Sequence, residues 1–266
     1  MTDSTTVRRL RLPVLLLAAV MAGLLASCRA AAPESLTVDV VAEYPHDDQA
    51  FTQGLLFHED RLYESTGLVG RSSLRQVDLA TGAVIRQRDI PAPYFAEGLT
   101  LVGEELQQLT YTSGEMFRWD LSTFESTGSA SYQGEGWGLC YDGKTVWMSD
   151  GSSNLVARDP ATFAPLSTLA VTDNGAPVVR LNELECVDGS IYANIWLTDD
   201  IVKIEPASGH VTARIDASPL RESLGIRPGT DAVLNGIAYQ PDEQVFYLTG
   251  KLWPKLFAVR FVPTGE

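Results

Sequence analysis

Five short apolar segments along the chain each begin at a polar or aromatic residue, called here the lead residue. The segments are Gln53-Gly54-Leu55-Leu56-Phe57, Glu97-Gly98-Leu99-Thr100-Leu101, Trp137-Gly138-Leu139-Cys140-Tyr141, Asn182-Glu183-Leu184-Glu185-Cys186 and Asn235-Gly236-Ile237-Ala238-Tyr239. Successive lead residues lie 44, 40, 45 and 53 positions apart. A fixed period of this length is typical of a repeat architecture.

Each lead segment is followed by a turn and by further short strand patterns. In the third repeat, for example, Asp142-Gly143-Lys144 precedes the apolar segment Thr145-Val146-Trp147-Met148-Ser149. Four strands in about forty residues are the pattern of one propeller blade, so the sequence predicts an all-β, five-bladed β-propeller. The one helix it predicts is short, near Pro219–Leu224.

The last repeat reaches Phe261 with only three clear strands, whereas a lone strand pattern at Leu36–Ala42 precedes the first repeat. We therefore expect the N-terminal strand to become the outer strand of the last blade and to close the ring. Closure in this way would remove a free sheet edge. The predicted propeller domain spans residues 36–266.

Residues 1–27 have the pattern of a lipoprotein signal peptide. Arg8, Arg9 and Arg11 precede an apolar stretch from Leu12 to Leu25, which is short for a membrane span. The stretch ends in Leu25-Ala26-Ser27-Cys28, which resembles the bacterial lipobox, so we expect Cys28 to be acylated. The alternative is an ordinary cleaved signal peptide with a chance cysteine.

Residues 28–35 are then a tether to the envelope membrane, with the domain facing the periplasm or the exterior. In a cell with two membranes, Arg29 after the cysteine favours the outer membrane, because an aspartate there would favour retention in the inner one.

The charge and the cysteine and histidine content limit which ligands and metals the protein is expected to bind. The formal net charge is −14, which gives no basic surface for nucleic acid and serves solubility. Cys140 and Cys186 both lie in apolar strand patterns, which favours two buried free thiols, although an exported protein also permits a disulfide. The three histidines, His46, His58 and His210, form no pair with metal-ligand spacing, so no metal centre is expected.

The lead residues are expected to form a ring, because the first strand of each blade lines the central channel of a propeller. Fourteen residues after each lead, a second register brings Gly67, Tyr111, Gly151, Trp196 and Thr249 to the same end. One carboxylate, three amides and several aromatic rings thus meet at one mouth, the composition of a site for a small molecule or a peptide end. A polar, water-filled structural channel is the alternative.

The chain carries the motifs Ala50-Phe51-Thr52-Gln53-Gly54-Leu55, Tyr94-Phe95-Ala96-Glu97-Gly98-Leu99-Thr100, Gly136-Trp137-Gly138-Leu139, Leu181-Asn182-Glu183-Leu184-Glu185 and the long segment from Thr249 to Phe257. These motifs resemble those of the plant- and bacterial-type glutaminyl-peptide cyclotransferases. The resemblance covers about residues 44–261. It implies formation of pyroglutamate from the N-terminal glutamine of a peptide or protein, release of ammonia, and a five-bladed propeller.

The same resemblance assigns site residues and partners. It places the catalytic glutamate at Glu97 and substrate-binding residues at Phe51, Gln53, Tyr111, Trp137, Asn182, Trp196 and Lys251. Tyr111 replaces a tryptophan of the plant members. No cofactor is expected for catalysis, a structural cation in the channel is left open, and the protein is expected to act as a monomer.

Three further roles follow from the residues themselves. Glu97 is the only acidic lead residue and hence the candidate general acid and base. Asp150 and Asn235 are expected to support the mouth, and three tryptophans are expected to pack in the core. These are Trp119, Trp147 and Trp253.

Two other functions compete with cyclisation. A lactonase-like, metal-dependent propeller hydrolase would need several carboxylates or amides around a cation, and a single acidic lead residue disfavours it. A non-catalytic lipoprotein that binds peptide or cell-wall ligands through the open face is the other alternative.

Overall fold

The computed structural model of the protein describes residues 1–2 and 32–265, and β-strands account for nearly all of its regular structure. The predicted signal peptide, apart from its first two residues, and Cys28, the predicted lipidation site, lie outside the described residues. The strands are β1 (Glu34–Pro45), β2 (Thr52–His58), β3 (Arg61–Thr66), β4 (Ser73–Val77), β5 (Val84–Asp89), β6 (Ala96–Val102), β7 (Glu105–Thr110), β8 (Glu115–Asp120), β9 (Ser126–Ser131), β10 (Leu139–Tyr141), β11 (Val146–Ser149), β12 (Asn154–Arg158), β13 (Pro165–Ala170), β14 (Thr172–Asp173), β15 (Ala176–Pro177), β16 (Leu181–Val187), β17 (Ser190–Ile195), β18 (Asp200–Ile204), β19 (Val211–Asp216), β20 (Leu234–Gln240), β21 (Val245–Gly250) and β22 (Lys255–Pro263).

The strands form consecutive antiparallel meanders, which agrees with the predicted all-β repeats. The first three repeats are separate four-stranded sheets, β2 to β5, β6 to β9 and β10 to β13. The remaining main strands form one eight-stranded sheet in the order β16-β17-β18-β19-β1-β22-β21-β20, and β14 pairs with β15 in a small hairpin.

Strand β1 has two neighbours. It pairs with β22 in antiparallel fashion from Leu36 opposite Pro263 to Pro45 opposite Lys255, as the sequence predicts. It also pairs in parallel with β19, which the sequence does not predict and which joins the last two repeats into one sheet. Because β1 covers β22, the last repeat has no open outer edge on that side.

Hydrogen bonds link each repeat to the next, and the last repeat to the first. The links run from Gln53 Nε2 to Glu97 Oε1 (2.8 Å), Gly98 N to Trp137 O (2.7 Å), Ser149 Oγ to Asn182 O (2.6 Å), Gly236 N to Asn194 Oδ1 (3.1 Å) and Asn235 Nδ2 to Thr52 O (2.9 Å). These contacts make a closed cycle of the five repeats.

The apolar core lies between neighbouring sheets. In one cluster, for example, Trp147 and Leu155 of the third repeat pack with Leu184, Ile191 and Val202 of the fourth. The tryptophans predicted to pack in the core are all buried there, and Trp253 is completely inaccessible.

The innermost strands of neighbouring repeats approach each other backbone to backbone. A Cβ atom on Gly98 would lie 2.6 Å from the amide nitrogen of Leu139 in the next repeat, closer than real Cβ atoms come. The residue after the lead is glycine in four repeats, at positions 54, 98, 138 and 236.

In the fourth repeat the corresponding residue is Glu183, which is completely buried. Its carboxylate accepts hydrogen bonds from the backbone N–H groups of Leu55 (3.2 Å) and Ile237 (2.8 Å), so it ties together the inner strands of the first and last repeats. Two residues on, Glu185 accepts the N–H of Tyr239 at 3.0 Å. Burial raises the pKa of both carboxyl groups, that of Glu185 to about 8.

The expectation of two free thiols is wrong, since Cys140 and Cys186 form a disulfide with a Cα–Cα distance of 5.4 Å. The cysteines are 46 residues apart, about one repeat length, so they occupy nearly the same register on the inner strands β10 and β16 of adjacent repeats. Adjacent inner strands are close together, which brings the two sulfur atoms within bonding distance.

The predicted short helix is present as α1 (Ser218–Ser223), which begins with Pro219 in its first turn and buries Leu220. Within residues 1–2 and 32–265, no helix has the length and apolar character needed to cross a membrane.

The position of β1 leads to a stability prediction. A chain that begins after Ala42 loses most of the pairing with β22 and all of the pairing with β19. We expect its melting temperature to fall by about 10 °C or more, since each kcal/mol is worth a few degrees in a domain of this size. A chain that begins at Glu34 is the control and should melt like the full-length protein. Equal melting of the two truncated chains in a calorimeter would show that β1 does not hold the ring closed.

Candidate active site

One cavity of about 200 Å³ collects all eight residues that the sequence assigns to catalysis and substrate binding. Its lining consists of Phe51, Gln53, Phe95, Glu97, Tyr111, Trp137, Asn182, Trp196, Leu197, Asp231, Val233 and Lys251. Four of the five repeats contribute through their lead residues, and the fifth contributes Asp231, Val233 and Lys251.

The inner strands are irregular at the lead residues of four repeats, and three of these lead residues line the cavity. The pairing of β6 with β7 skips from Ala96 to Leu99, so Glu97 and Gly98 form a β-bulge, and bulges re-aim side chains next to active sites. Equivalent shifts occur at the leads of the first, fourth and fifth repeats. In the third repeat, Trp137 precedes strand β10 and is held by a 3.0 Å bond from its N–H to Ser149 O.

Glu97 is the buried carboxylate of the cavity, with 5% of its surface exposed. The side-chain amide of Gln53 donates to Oε1 at 2.8 Å, and Asn235 Nδ2 contacts the carbonyl oxygen of that amide at 3.3 Å. Burial raises the pKa of Glu97 well above its ordinary value, although the positive charge of Lys251 opposes the shift. A raised pKa makes the carboxylate a stronger base than an ordinary glutamate side chain.

Lys251 is the cation of the cavity and is as deeply buried as Glu97. Burial lowers its pKa, while the charges of Glu97 and Asp231 oppose that shift. Its ammonium group lies over the ring of Phe51, 4.8 Å from the centroid, a cation–π contact. Lys251 makes no direct ion pair among the described residues, so its charge is available to a group that enters the cavity.

Two tryptophans form one wall. The rings of Trp137 and Trp196 meet edge to face, with centroids 5.3 Å apart and planes at 86°. The indole N–H of Trp137 donates to Glu135 Oε2 at 2.9 Å, which fixes the ring. Gly151, with φ of +79°, lies so close to the ring of Trp137 that a Cβ atom there would come within 2.5 Å of it.

Three further aromatic rings also line the cavity and lie next to one another. Phe51 and Phe95 are 6.2 Å apart, and Phe95 and Tyr111 are 5.9 Å apart. Tyr111 therefore keeps the aromatic character expected at its position, with a smaller ring than tryptophan.

Asn182 offers a polar group with no protein partner. Its Oδ1 atom is buried and accepts no hydrogen bond within the described part of the chain. Because buried polar groups are nearly always paired, an unpaired amide that lines a cavity is suited to a ligand.

Four lining residues were missed from the sequence, namely Phe95, Leu197, Asp231 and Val233. Phe95 and Val233 stand two positions before their lead residues, the register that Phe51 occupies in the first repeat. This shared register could have identified both residues as lining residues from the sequence. Leu197 directly follows Trp196, and Asp231 belongs to the irregular segment before β20.

Asn235 and Asp150, the two residues expected to support the mouth, differ in their contacts. Asn235 does not line the cavity but donates to both Thr52 O and Gln53 Oε1 behind it. Asp150 does not line the cavity, and its carboxylate accepts the N–H of Ser152 at 3.0 Å, within its own turn. Among residues 1–2 and 32–265, no three His, Cys, Asp or Glu side chains are grouped as a metal site would need.

A ring of antiparallel sheets is typical of a propeller. Inner strands that place a buried carboxylate among aromatic rings are typical of an enzyme that acts on a small polar group of its substrate. The family model described as glutamine cyclotransferase matches residues 14–261, and the chain belongs to this family.

Two relatives support this assignment. The glutaminyl-peptide cyclotransferase of Arabidopsis thaliana is 44% identical over 228 residues, which cover 84% of this chain and 71% of the relative. The crystal structure of Myxococcus xanthus glutaminyl cyclase matches with a TM-score of 0.83 and 42% identity, over 88% of this chain and all of the other. The likeness to this glutaminyl cyclase identifies the fold as a β-propeller.

The coupling of the two buried charges can be measured. Lys251→Met removes the cation that holds the pKa of Glu97 down, so that pKa should rise further, by about one unit or more. The check is a ¹³C NMR titration of carboxyl-labelled glutamate, with Glu97 assigned by its absence from Glu97→Gln. Lys255→Met, which removes a lysine paired with Glu43 on the surface, is the control and should leave Glu97 unchanged. An unchanged Glu97 titration in Lys251→Met would show that the two groups are not coupled.

Proposed function

We propose that this chain is a glutaminyl-peptide cyclotransferase that converts the N-terminal glutamine of peptides or proteins to pyroglutamate and releases ammonia. The observation that carries the proposal is the buried Glu97 carboxyl, hydrogen-bonded to Gln53 within an aromatic cavity, in a member of the glutamine cyclotransferase family.

The reaction needs no nucleophile from the protein. The α-amine of the substrate attacks its own γ-carboxamide carbon, a five-membered ring closes, and the C–N bond to the departing amide nitrogen breaks. Glu97 takes a proton from the attacking amine and returns one to the leaving nitrogen, which departs as ammonia. Its raised pKa suits both steps, because the carboxylate is then a stronger base than an ordinary glutamate, and the acid that forms can protonate the leaving nitrogen.

Charge on the carbonyl oxygen in the tetrahedral intermediate needs stabilisation. Gln53 uses one amide hydrogen on Glu97 and has a second one left, while Asn182 and Lys251 also line the cavity. Donors placed in this way are usually worth about a hundredfold or more in rate.

The aromatic walls hold the glutamine in the conformer that closes the ring. We assign the binding of the substrate side chain to Trp137 and Trp196, with Phe51 and Tyr111 as further aromatic lining. Fixing a flexible chain near its reactive geometry contributes substantially to rate.

We also propose that the propeller has five blades, with the eight-stranded sheet counted as two. Strands β16 to β19 supply the fourth blade, and β20 to β22 together with β1 supply the fifth. The cycle of hydrogen bonds through the five lead segments supports this count.

The function is tested by incubating the protein with a glutamine-initiated peptide, with and without a chelator, and following ammonia release and peptide mass. A mass loss equal to one ammonia that survives chelation is the expected result. Turnover abolished by chelation would favour the metal-dependent hydrolase, and binding without turnover would favour the non-catalytic lipoprotein.

Substitution of Glu97 tests the mechanism. Glu97→Gln keeps the shape of the side chain but removes the proton-transfer group, so fold and substrate binding should survive while turnover falls by about 10²–10⁴. The matched control is Glu104→Gln, in the exposed turn that follows the same strand, which should be as active as the wild type. Near-wild-type turnover of a folded Glu97→Gln protein would assign the acid–base role to another group.

The pH profile separates enzyme from substrate. A free α-amine titrates near pH ~7.7–8.0 and attacks only when neutral, so activity should rise between about pH 6 and 8. The residual activity of Glu97→Gln should show the same limb, since it belongs to the substrate. A limb that moves with the Glu97 substitution would instead belong to the enzyme.

We further propose that Cys28 carries a lipid anchor and that the domain faces the periplasm or exterior of a bacterial envelope. The lipobox-like Leu25-Ala26-Ser27-Cys28 is the support. Cys28→Ala should abolish incorporation of an alkyne-labelled fatty acid into the protein. In a cell with two membranes, Arg29→Asp should keep the label and move the protein to the inner membrane fraction. A Cys28→Ala protein that still takes up the label would refute the anchor.

A further inference from the structure

His46 is a buried histidine with hydrogen-bond partners on both ring nitrogens. It follows directly after β1, and only 3% of its side chain is exposed. Nδ1 lies 2.7 Å from the backbone carbonyl oxygen of Trp253, and Nε2 lies 3.1 Å from Oε1 of Glu64.

The backbone carbonyl accepts only, and Glu64 accepts only when it is ionised, so with an ionised Glu64 both ring nitrogens donate and the ring is an imidazolium. Glu64 is placed to be the matching carboxylate. Thr52 Oγ1 donates to its Oε1 at 2.7 Å, and a guanidinium nitrogen of Arg75 lies 3.8 Å from its Oε2. Thr249 Oγ1, 3.4 Å from Nδ1, donates its own hydrogen to Lys255 O and so faces the ring as a further acceptor.

The hydrogen bonds of Glu64 connect His46 to the backbone next to Gln53. Thr52, whose hydroxyl is held by Glu64, is the residue immediately before Gln53 on β2. Its carbonyl oxygen is held by Asn235, which also contacts the side-chain amide of Gln53. The chain of contacts from His46 through Glu64 and Thr52 therefore fixes the backbone from which Gln53 reaches Glu97.

The hydrogen bonds of His46 itself connect it to the segment that carries Lys251. The segment after β21 carries Lys251 and is bound twice by His46, through the ring to Trp253 O and through the backbone N–H to Pro254 O at 3.0 Å. The N–H of Leu252 adds a 2.7 Å bond to Ala50 O. Release of the ring would free one of the contacts that hold Lys251 beside the cavity.

We propose that His46 is a positioning residue that is cationic at neutral pH, and that its imidazolium holds Gln53 and Lys251 in place for the cyclisation. The role of those two residues rests on the proposed function. His46 does not line the cavity and touches no reacting atom.

The surrounding charges set the direction of the pH effect. Burial lowers the pKa of His46, but the charge and hydrogen bond of Glu64, the carbonyl of Trp253 and the charge of Asp47 outweigh it, so the pKa is raised. Arg75, which pairs with Asp47 at 2.8 Å and faces Glu64, is the cation on the far side of the group. A raised pKa means that the cationic, positioned state persists below that pKa and is lost as the pH rises through it. His46 should therefore produce an alkaline limb in kcat/KM, at a pH above the ordinary histidine value.

The charge of His46 is measured directly by long-range ¹H–¹⁵N NMR of the full-length protein, which has only three histidines. At neutral pH, above the ordinary histidine value of about 6.5, His46 should show two protonated ring nitrogens. This experiment needs no turnover, so it stands even if the proposed function fails. A neutral His46 ring at that pH would overturn the proposal.

The positioning role is tested by kinetics with a glutamine-initiated peptide. His46→Gln keeps a hydrogen-bonding side chain without a titratable charge, so kcat/KM should fall about tenfold to a hundredfold, the usual cost of a misplaced catalytic group, and the alkaline limb should disappear. His210→Gln, at an exposed position, is the matched control and should keep both the rate and the limb.

Glu64→Gln provides a second variant if His46→Gln fails to fold. It removes the negative charge beside the ring, so the limb should move to lower pH by about one unit or more. A wild-type rate and an unmoved alkaline limb in either folded variant would overturn the positioning role. A wild-type protein without turnover, yet with a cationic His46, would refute the proposed function alone.

Discussion

The close approach of the innermost strands is the constraint on which the rest of the structure depends. At Gly98 the backbone of one repeat lies against the backbone of the next, with no room for a side chain. At the same positions, four of the five lead residues lie in β-bulges, and three of these, Gln53, Glu97 and Asn182, line one cavity. Where the fourth repeat has Glu183 instead of glycine, its carboxylate binds the inner strands of two other repeats. The strand contacts that pack the repeats together are therefore next to the residues that line the cavity.

Burial then sets the chemistry of the cavity. Glu97 and Lys251 are both removed from water, which raises the pKa of the acid and lowers that of the base, and each limits the shift of the other. In water a carboxyl group would be ionised at neutral pH and a poor proton donor. Within these aromatic walls its pKa is raised, and we propose that it takes up a proton and returns one during the reaction. The buried His46–Glu64 pair lies behind this arrangement and connects the strand that closes the ring to both sides of the cavity.

The periodic features could be predicted from the sequence, and the irregular ones could not. Gln53, Glu97, Trp137 and Asn182 recur at the start of apolar strands, so their common location follows from the repeat. Asp231 lies in an irregular segment with no repeated register, and Asp150 turned into its own loop instead of supporting the mouth. The strand pattern around each cysteine, taken alone, does not predict the disulfide. Their separation of about one repeat does imply that the two cysteines lie on adjacent inner strands. The parallel contact of β1 with β19 depends on how the closed ring packs, which no local pattern specifies.

The central claim is that the cavity around Glu97 binds the N-terminal glutamine in its ring-closing conformer. The most direct test is a crystal structure of Glu97→Gln with a glutamine-initiated peptide bound. The account predicts the glutamine side chain between Trp137 and Trp196, with its α-amine within hydrogen-bonding distance of residue 97 and its carbonyl oxygen facing Gln53, Asn182 or Lys251. A peptide whose terminal glutamine lies outside this cavity, or whose amine points away from residue 97, would contradict it.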